Sequence, residues 1–267
     1  MKTRAITGFI FVLVMLASLL SGAYIFVVFY GLLSLLCLTE FFSLVKSSGI
    51  NPDKRLGLLL GFILLCSFVT RLFVDYDSKW LLLNILLFLA IFIRELYKKS
   101  KLPFSNIAYT FFGLLYTVIP FVCFISVAFI SGAYNFHMAL GFFLMLWTND
   151  TGAYLFGVKF GKHRLFERHS PKKSWEGFFG GIFTAVLTGY LLSVFYTDYA
   201  YYHWMAMALI ISCLGTLGDL TESMFKRSID IKDSGKILPG HGGVLDRFDG
   251  LLLSAPAIFV YLYLITN

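Results

Sequence analysis

The sequence predicts an all-α, polytopic integral membrane protein: a helical bundle with its N-terminus in the cytoplasm and about nine transmembrane helices. Hydrophobic residues make up 58% of the 267 residues and charged residues only 14%, whereas a soluble chain is about 25% charged. The mean hydropathy is +0.80. Apolar runs of about 20 residues, which is long enough to cross a bilayer, recur along the chain. A soluble enzyme is therefore excluded, and no separate aqueous domain fits.

The apolar runs define the predicted helices in chain order. They are expected at 5–21, 23–45, 56–74, 80–96, 107–130, 137–159, 176–197, 204–225 and 251–265. The first run resembles a secretory signal, but it lacks a good small-residue cleavage site and another run follows at once, so we expect it to be retained. Pro120 and Pro256 are expected to kink their helices. The chain is predicted to divide into a hydrophobic N-terminal part, 1–135, and a part that is expected to carry the chemistry, 136–267.

The basic residues predict the orientation. Of the 22 lysines and arginines, all but Arg71 and Lys79 fall in alternate connections, which by the positive-inside rule face the cytoplasm. The C-terminus is then outside, and loops 160–175 and 226–250 are cytoplasmic. The formal charge of +7 is explained by this rule and does not require a nucleic-acid partner. The four cysteines lie in apolar runs without a CxxC pair, so neither disulfides nor a zinc site are predicted.

Acidic residues in the second half indicate where chemistry takes place. An ionised carboxylate such as Asp150 costs about 2.5–3.5 kcal/mol at mid-membrane, so it needs a polar cavity, a basic partner or a metal. One face of the eighth run carries Thr216, Asp219, Ser223 and Lys226 at helical spacing. A second acidic pair, Asp246 and Asp249, follows a glycine-rich loop. The alternative is that these acids form ion pairs that only orient helices, but their clustering favours a functional site.

Two basic segments are candidates for phosphate binding. In 232–249, three glycines surround His241 and permit successive backbone N–H groups to point at one anion, while Lys232 and Arg247 add positive charge. The loop lacks the Walker spacing, and a flexible turn attracted to anionic headgroups is the alternative. The second segment contains Lys172, Lys173 and Ser174. It is also explained by a positive-inside anchor.

One stretch of the second half resembles the signature of the phosphatidate cytidylyltransferases, also called CDP-diglyceride synthases. It reads Ser223-x-Phe225-Lys226-Arg227-x4-Lys232-Asp233-x-Gly235-x2-Leu238-Pro239-x-His241-Gly242-Gly243-Val244-x-Asp246-Arg247-Phe248-Asp249. Segments 149–154 and 170–177 are also similar to the family, which often has Thr at the position of Ser174. The first 130 or so residues resemble the family only in being hydrophobic.

The resemblance implies a membrane enzyme that converts CTP and phosphatidate into CDP-diacylglycerol and pyrophosphate and requires Mg²⁺, with room for a second cation. The implied metal ligands are Asp219, Asp246 and Asp249, with Asp150 and Glu222 as secondary candidates. The implied catalytic residues are Asp219, Asp246, Lys226 and Arg247. The implied substrate-binding residues are Lys172, Lys173, Ser174, Ser223, Arg227, Lys232, His241, Gly242 and Gly243. The location is a bacterial-type cytoplasmic (inner) membrane, with the active site facing the cytoplasm.

Other membrane transferases and non-enzymatic membrane proteins are the alternatives to this function. A CDP-alcohol phosphatidyltransferase carries a DGxxAR-type run that we do not find, and a polyprenyl-phosphate sugar transferase is a further membrane alternative. A transporter or an anionic-lipid-binding scaffold is the non-enzymatic alternative, with the acids as proton or cation sites. Pseudo-symmetric halves would favour a transporter, but the halves differ in polarity. The oligomeric state is open, with a homodimer as one option.

Overall fold

The computed structural model describes residues 2–74, 81–168, 170–229, 231, 235 and 242–266. These residues form nine helices, one for each predicted apolar run. They are α1 Lys2–Leu20, α2 Ala23–Ser47, α3 Lys54–Phe73, α4 Leu83–Tyr97, α5 Pro103–Val127, α6 Phe136–Phe160, α7 Trp175–Phe195, α8 Tyr201–Ser228 and α9 Leu245–Thr266. The predicted all-α class is confirmed.

Six helices of the described residues are long and apolar enough to cross a membrane: α2, α3, α5, α7, α8 and α9. The chain is therefore a polytopic helical membrane protein. Helices α1, α4 and α6 fall outside that group in the described residues. Nine crossings and a cytoplasmic N-terminus accordingly stay predictions.

The chain divides into two compact units. The first unit consists of Met1–Ser126 and Asp233–Leu245, and the second of Val127–Lys232 and Asp246–Asn267. The predicted division at residue 135 separates parts by function, which these structural bounds do not test.

In the first unit, α2 packs against α1, α3 and α5. Close packing depends on small residues: a Cβ on Gly57 of α3 would lie 2.6 Å from the Phe42 ring of α2. Helix α5 contains a π-helical turn at Leu114–Val118, just before Pro120. Proline lacks the N–H that an α-helix uses and crowds the carbonyl four residues earlier, and the wider turn accommodates both. At Pro120, where the sequence predicts a kink, the structure thus shows a local change from α-helix to π-helix.

In the second unit, α7 packs on both α6 and α8. The α6–α7 contact is held by the Thr184 hydroxyl, which donates a hydrogen bond to the Thr148 carbonyl at 2.9 Å. Glycines bring α8 close to both α9 and α6: a Cβ on Gly218 would collide with the Asp249 carbonyl of α9, and a Cβ on Gly215 would meet the Leu146 side chain of α6. These close approaches place the polar residues of α6, α8 and α9 near one another.

The predicted loop 160–175 contains a small antiparallel sheet that the sequence analysis missed. Strand β1, Arg164–Phe166, pairs with β2, Ser170–Ser174. The end of β2 is fixed because Ser174 caps α7, accepting a hydrogen bond from the Gly177 N–H at 3.2 Å. At the same end of the sheet, Glu176 fixes the residues just before β1 by accepting hydrogen bonds from the N–H groups of Lys162 and His163, at 3.1 and 3.3 Å. The basic side chains of β2 are therefore presented from a fixed backbone.

Candidate active site

One face of α8 meets strand β2 in an ion pair. Lys173 Nζ lies 2.5 Å from Asp219 Oδ2 and also donates to the Thr216 carbonyl at 3.5 Å. The Ser223 hydroxyl donates to Asp219 Oδ1 at 3.3 Å. The predicted clustering of Thr216, Asp219 and Ser223 on one helix face is therefore confirmed. The lysine that they meet comes from a different element.

A second ion-pair group joins α8 to α9. Lys226 Nζ lies 2.7 Å from Asp246 Oδ1 and 3.4 Å from Glu222 Oε2. The side chain of Lys226 is only 13% exposed and that of Glu222 only 1%, so these charges are largely removed from solvent. No donor of the described residues makes a hydrogen bond of good geometry to either Glu222 oxygen. A buried carboxylate without such donors is costly, which makes Glu222 receptive to further positive charge.

Asp249 connects the two groups. Its carboxylate is close enough to those of Asp150, Asp219 and Glu222 for mutual electrostatic repulsion, and it accepts a hydrogen bond from the Gly250 N–H at 2.7 Å. The resulting set, which we call the acidic cluster, comprises Asp150, Asp219, Glu222, Asp246 and Asp249 with Lys173 and Lys226. Counted as ionised groups, the five carboxylates outnumber the two ammonium groups, so the cluster has excess negative charge on this count.

The acidic cluster borders a cavity of about 400 Å³ within the second unit. Asp150 and Asp219 line it, together with Lys172, Lys173 and Ser174 of β2. Apolar groups of Tyr154, Val158, Leu165 and Phe178 form another part of the lining. A cavity with charged groups on one side and apolar groups on the other suits a ligand that has both phosphate and hydrocarbon parts.

Most of the predicted site residues lie together in the second unit. Asp150, Asp219, Ser223, Glu222, Lys226, Asp246, Asp249 and Lys173 lie in or against the acidic cluster, and Lys172 and Ser174 line its cavity. Arg227 and Arg247 are exposed side chains at the end of α8 and the start of α9. Gly242, which has a φ of +85°, and Gly243 belong to the first unit. Lys232 and His241 lie outside the described residues.

The chemical groups of the acidic cluster are compatible with the expected Mg²⁺ site. Carboxylate oxygens are the ligands that Mg²⁺ prefers, and the excess negative charge and the donor-poor Glu222 both favour a cation. No three histidine, cysteine or acidic side chains in the described part of the chain form a ready-made ligand set. Lysines instead face Asp219 and Asp246. The metal and its ligands therefore stay a prediction.

Sequence reasoning assigned no role to Asn149, which the structure places in the cavity wall. Its side chain is 1% exposed, it lines the cavity beside Asp150, and its Nδ2 lies 3.4 Å from Asp150 Oδ1. An amide inside an apolar run is costly to bury without partners. That signal was present in the sequence, directly before Asp150.

The comparisons with known proteins show which family the chain belongs to. The sequence profile of the cytidylyltransferase family matches residues 2–265. The phosphatidate cytidylyltransferase of Staphylococcus aureus (strain COL) is 33% identical over 269 residues, covering 98% of this chain and 99% of that protein. The protein of the same name from Staphylococcus epidermidis is 35% identical with the same coverage. A match over nearly the whole length shows that the chain belongs to the cytidylyltransferase family.

Proposed function

We propose that this protein transfers the cytidylyl group of CTP to phosphatidate, giving CDP-diacylglycerol and pyrophosphate. The single observation that carries the proposal is the acidic cluster at a cavity with both charged and apolar walls. The relatives named phosphatidate cytidylyltransferase support it across the full chain. The reaction belongs to phospholipid biosynthesis.

The chemistry needs charge control rather than an activated nucleophile. A phosphate oxygen of phosphatidate attacks the α-phosphorus of CTP, a new P–O bond forms, and the bond between that phosphorus and the α–β bridging oxygen breaks to release pyrophosphate. The attacking group is already an anion at neutral pH, so no serine, cysteine or histidine is required. Bringing two anions together is the main difficulty, and fixed charges and positioning lower such barriers.

The residues of the acidic cluster divide this work. Asp219, Asp246 and Asp249 would hold Mg²⁺, and Asp150 and Glu222 lie close to them. The number of carboxylates is sufficient to balance the charge of a second cation. When bound, Mg²⁺ supplies positive charge against phosphate oxygens.

Lys173 and Lys226 contribute positive charge that offsets part of the negative charge of the carboxylates. Each is ion-paired with an aspartate that we assign to the metal, and each would bind a phosphate oxygen once its aspartate held a cation. Lys172 and Ser174, which line the cavity, bind phosphate beside Lys173. From the sequence, Arg227, Arg247, Lys232, His241, Gly242 and Gly243 remain candidates for phosphate binding, and Ser223 orients Asp219 through its hydrogen bond.

The substrates also suggest the location. CTP is a soluble anion and phosphatidate is a membrane lipid, so the site must be reachable from both the water and the bilayer. We assign the protein to the bacterial inner membrane with the acidic cluster on the cytoplasmic side, which agrees with the positive-inside distribution of lysine and arginine.

The test is a product assay on purified protein in detergent with labelled CTP, phosphatidate and Mg²⁺. We expect labelled cytidine to enter the organic phase, and Asp246→Asn to abolish this because it removes a carboxylate held 2.7 Å from Lys226. Asp198→Asn is the matched control: Asp198 also belongs to the second unit and pairs with His137 at 2.8 Å, away from the cluster.

Two outcomes would overturn parts of the proposal. If the wild-type protein yields no lipid-soluble cytidine product with any divalent cation, the assigned reaction is wrong. If Asp246→Asn keeps full activity, the acidic cluster is not the catalytic site.

A further inference from the structure

The first unit contains a large basic cavity, separate from the residues of the acidic cluster. Its volume is about 890 Å³, and it lies between the α2–α3 connection and the α4–α5 connection. Five lysines line it: Lys46, Lys54, Lys98, Lys99 and Lys101. We call this the lysine cavity.

The carboxylates beside the lysine cavity already have partners. Asp53 pairs with Arg94 at 2.9 Å and accepts a hydrogen bond from the Leu56 N–H at 3.1 Å. Glu95 accepts hydrogen bonds from Asn106 at 2.5 Å, from Lys98 at 3.3 Å and from Ser100.

Among the described residues, no carboxylate pairs with the remaining lysines of the cavity. Lys46, Lys54, Lys99 and Lys101 are exposed, and within the described residues no ion pair engages any of them. The positive-inside rule explains why lysines are present in these connections. It does not explain why they converge on one cavity.

Hydrogen bonds give the lysine cavity a defined shape. The Asn51 N–H donates to Asn106 Oδ1 at 2.8 Å, and Lys98 Nζ donates to the Asn51 carbonyl at 3.0 Å. The Asp53 N–H donates to the Thr110 hydroxyl oxygen at 2.9 Å. Asn106 is 3% exposed and Thr110 is fully buried. The two connections are thus tied together, so the lysines are held around a preformed space.

A second, apolar cavity of about 470 Å³ adjoins the lysine cavity. The two share Lys98, Lys99 and Ser100 as a common wall. The apolar cavity is lined mainly by Phe92, Ile93, Leu96, Phe104 and Ile107. Leu96 is 80% exposed and Phe104 is 78% exposed, which is expected of side chains that face lipid.

We infer that the two cavities together form a binding site for an anionic phospholipid, distinct from the proposed catalytic site. The lysine cavity takes the phosphate of the headgroup, and the apolar cavity takes the start of an acyl chain. Lysine charge near a bilayer attracts anionic headgroups, and lysine stems also cover apolar surface while the ammonium reaches outward. A soluble phosphate or nucleotide would leave the apolar cavity unused, so the shared wall favours the lipid.

The test is a lipid titration of the purified protein in neutral detergent, with bound lipid counted by native mass spectrometry. The probes are phosphatidylglycerol and phosphatidylcholine with identical acyl chains. We expect saturable binding that prefers phosphatidylglycerol, and a loss of affinity of about tenfold or more in Lys46→Gln/Lys99→Gln, because each lysine contributes to attraction of the headgroup. Lys46→Arg/Lys99→Arg should keep the preference, since the charge remains.

Two controls separate this site from its neighbours. Arg55→Gln removes an exposed basic residue of the first turn of α3 that lines neither cavity, so this variant should keep the wild-type preference for the anionic lipid. Asp246→Asn disables the proposed catalytic site and should also retain the preference, which makes the two proposals independent.

Three results would overturn the inference. The first is an unchanged preference for phosphatidylglycerol in Lys46→Gln/Lys99→Gln when that variant is monodisperse. The second is an equal loss in Arg55→Gln, which would indicate general surface charge. The third is full displacement by glycerol phosphate with no effect of Leu96→Ser, which would indicate a phosphate pocket without a lipid chain.

Discussion

The two units of this protein handle their buried charge in opposite ways. In the first unit, Asp53 and Glu95 are satisfied by arginine, lysine and amide donors, and lysines are left over. In the second unit, five carboxylates are near enough to repel one another, and three of them, Asp219, Glu222 and Asp246, pair with Lys173 or Lys226. The first unit therefore has an excess of positive charge beside its cavity, and the second has an excess of negative charge.

The difference shows that the sign of the uncompensated charge, rather than the number of charged residues, indicates the ligand. An excess of carboxylates in a poorly solvated site favours a cation, since the acids otherwise repel one another. An excess of lysines beside apolar surface favours an anionic lipid. The predictions below test this contrast by removing charge or disturbing packing in each unit.

The largest effect is expected from Asp219→Asn in the second unit. Asparagine keeps the shape of the side chain but removes the charge that pairs with Lys173 at 2.5 Å. We expect kcat to fall by about a hundredfold or more, the size of effect seen when a group that stabilises transition-state charge is removed. Kinetics with labelled CTP measure this, with Asp198→Asn as the control. A kcat within twofold of the wild type would contradict the assignment of Asp219.

A smaller but substantial effect is expected from Gly218→Ala, which disturbs packing without changing charge. The added methyl group would collide with the Asp249 carbonyl, so α9 must shift and Asp249 moves relative to Asp219. We expect kcat to fall by about tenfold, as small displacements of positioning groups are costly.

Gly31→Ala is the matched control for this change. Gly31 lies in α2 and an added Cβ would meet nothing within 4 Å, so activity and thermal stability should be retained. Equal behaviour of the two variants would show that the close α8–α9 contact is not needed for the site.

Helical periodicity predicted part of the site because spacing along one helix is a local property. It placed Asp219 and Ser223 together, as the structure confirms. It also placed Lys226 on the same face, but in the structure this residue belongs to a second ion-pair group, because Lys226 pairs with Asp246 and Glu222. The separation into two groups depends on which elements pack against each turn of α8, and residue spacing within α8 gives no information about those elements.

Contacts between distant segments explain what the sequence did not predict. Lys173 reaches Asp219 only because β1 and β2 pair and Ser174 caps α7, and these short strands have too few residues for a clear alternating pattern. The lysine cavity was hidden for a similar reason: its lysines come from two connections separated by α3 and α4. Sequence analysis explained those lysines by topology alone. The nine helices themselves were predicted well because each is a continuous apolar run.

The smallest effect is expected in the first unit, from Asp53→Ala compared with Asp53→Asn. Asp53 caps α3 through the Leu56 N–H and pairs with Arg94, but it lies in the first unit and outside the acidic cluster, so kcat should be unchanged in both variants. Alanine removes both interactions, and loss of a cap alone costs about 0.5–2 kcal/mol. For a chain of this size that corresponds to a fall in Tm of about 2–4 °C per kcal/mol. Asparagine is also a good capping residue, so Asp53→Asn should lose only the stability contributed by the ion pair with Arg94.

A thermal melt in detergent measures Tm, and the cytidylyl transfer assay measures kcat. A large loss of kcat in Asp53→Asn, with Tm retained, would contradict the contrast between the units, because a structural carboxylate of the first unit would then contribute to the reaction.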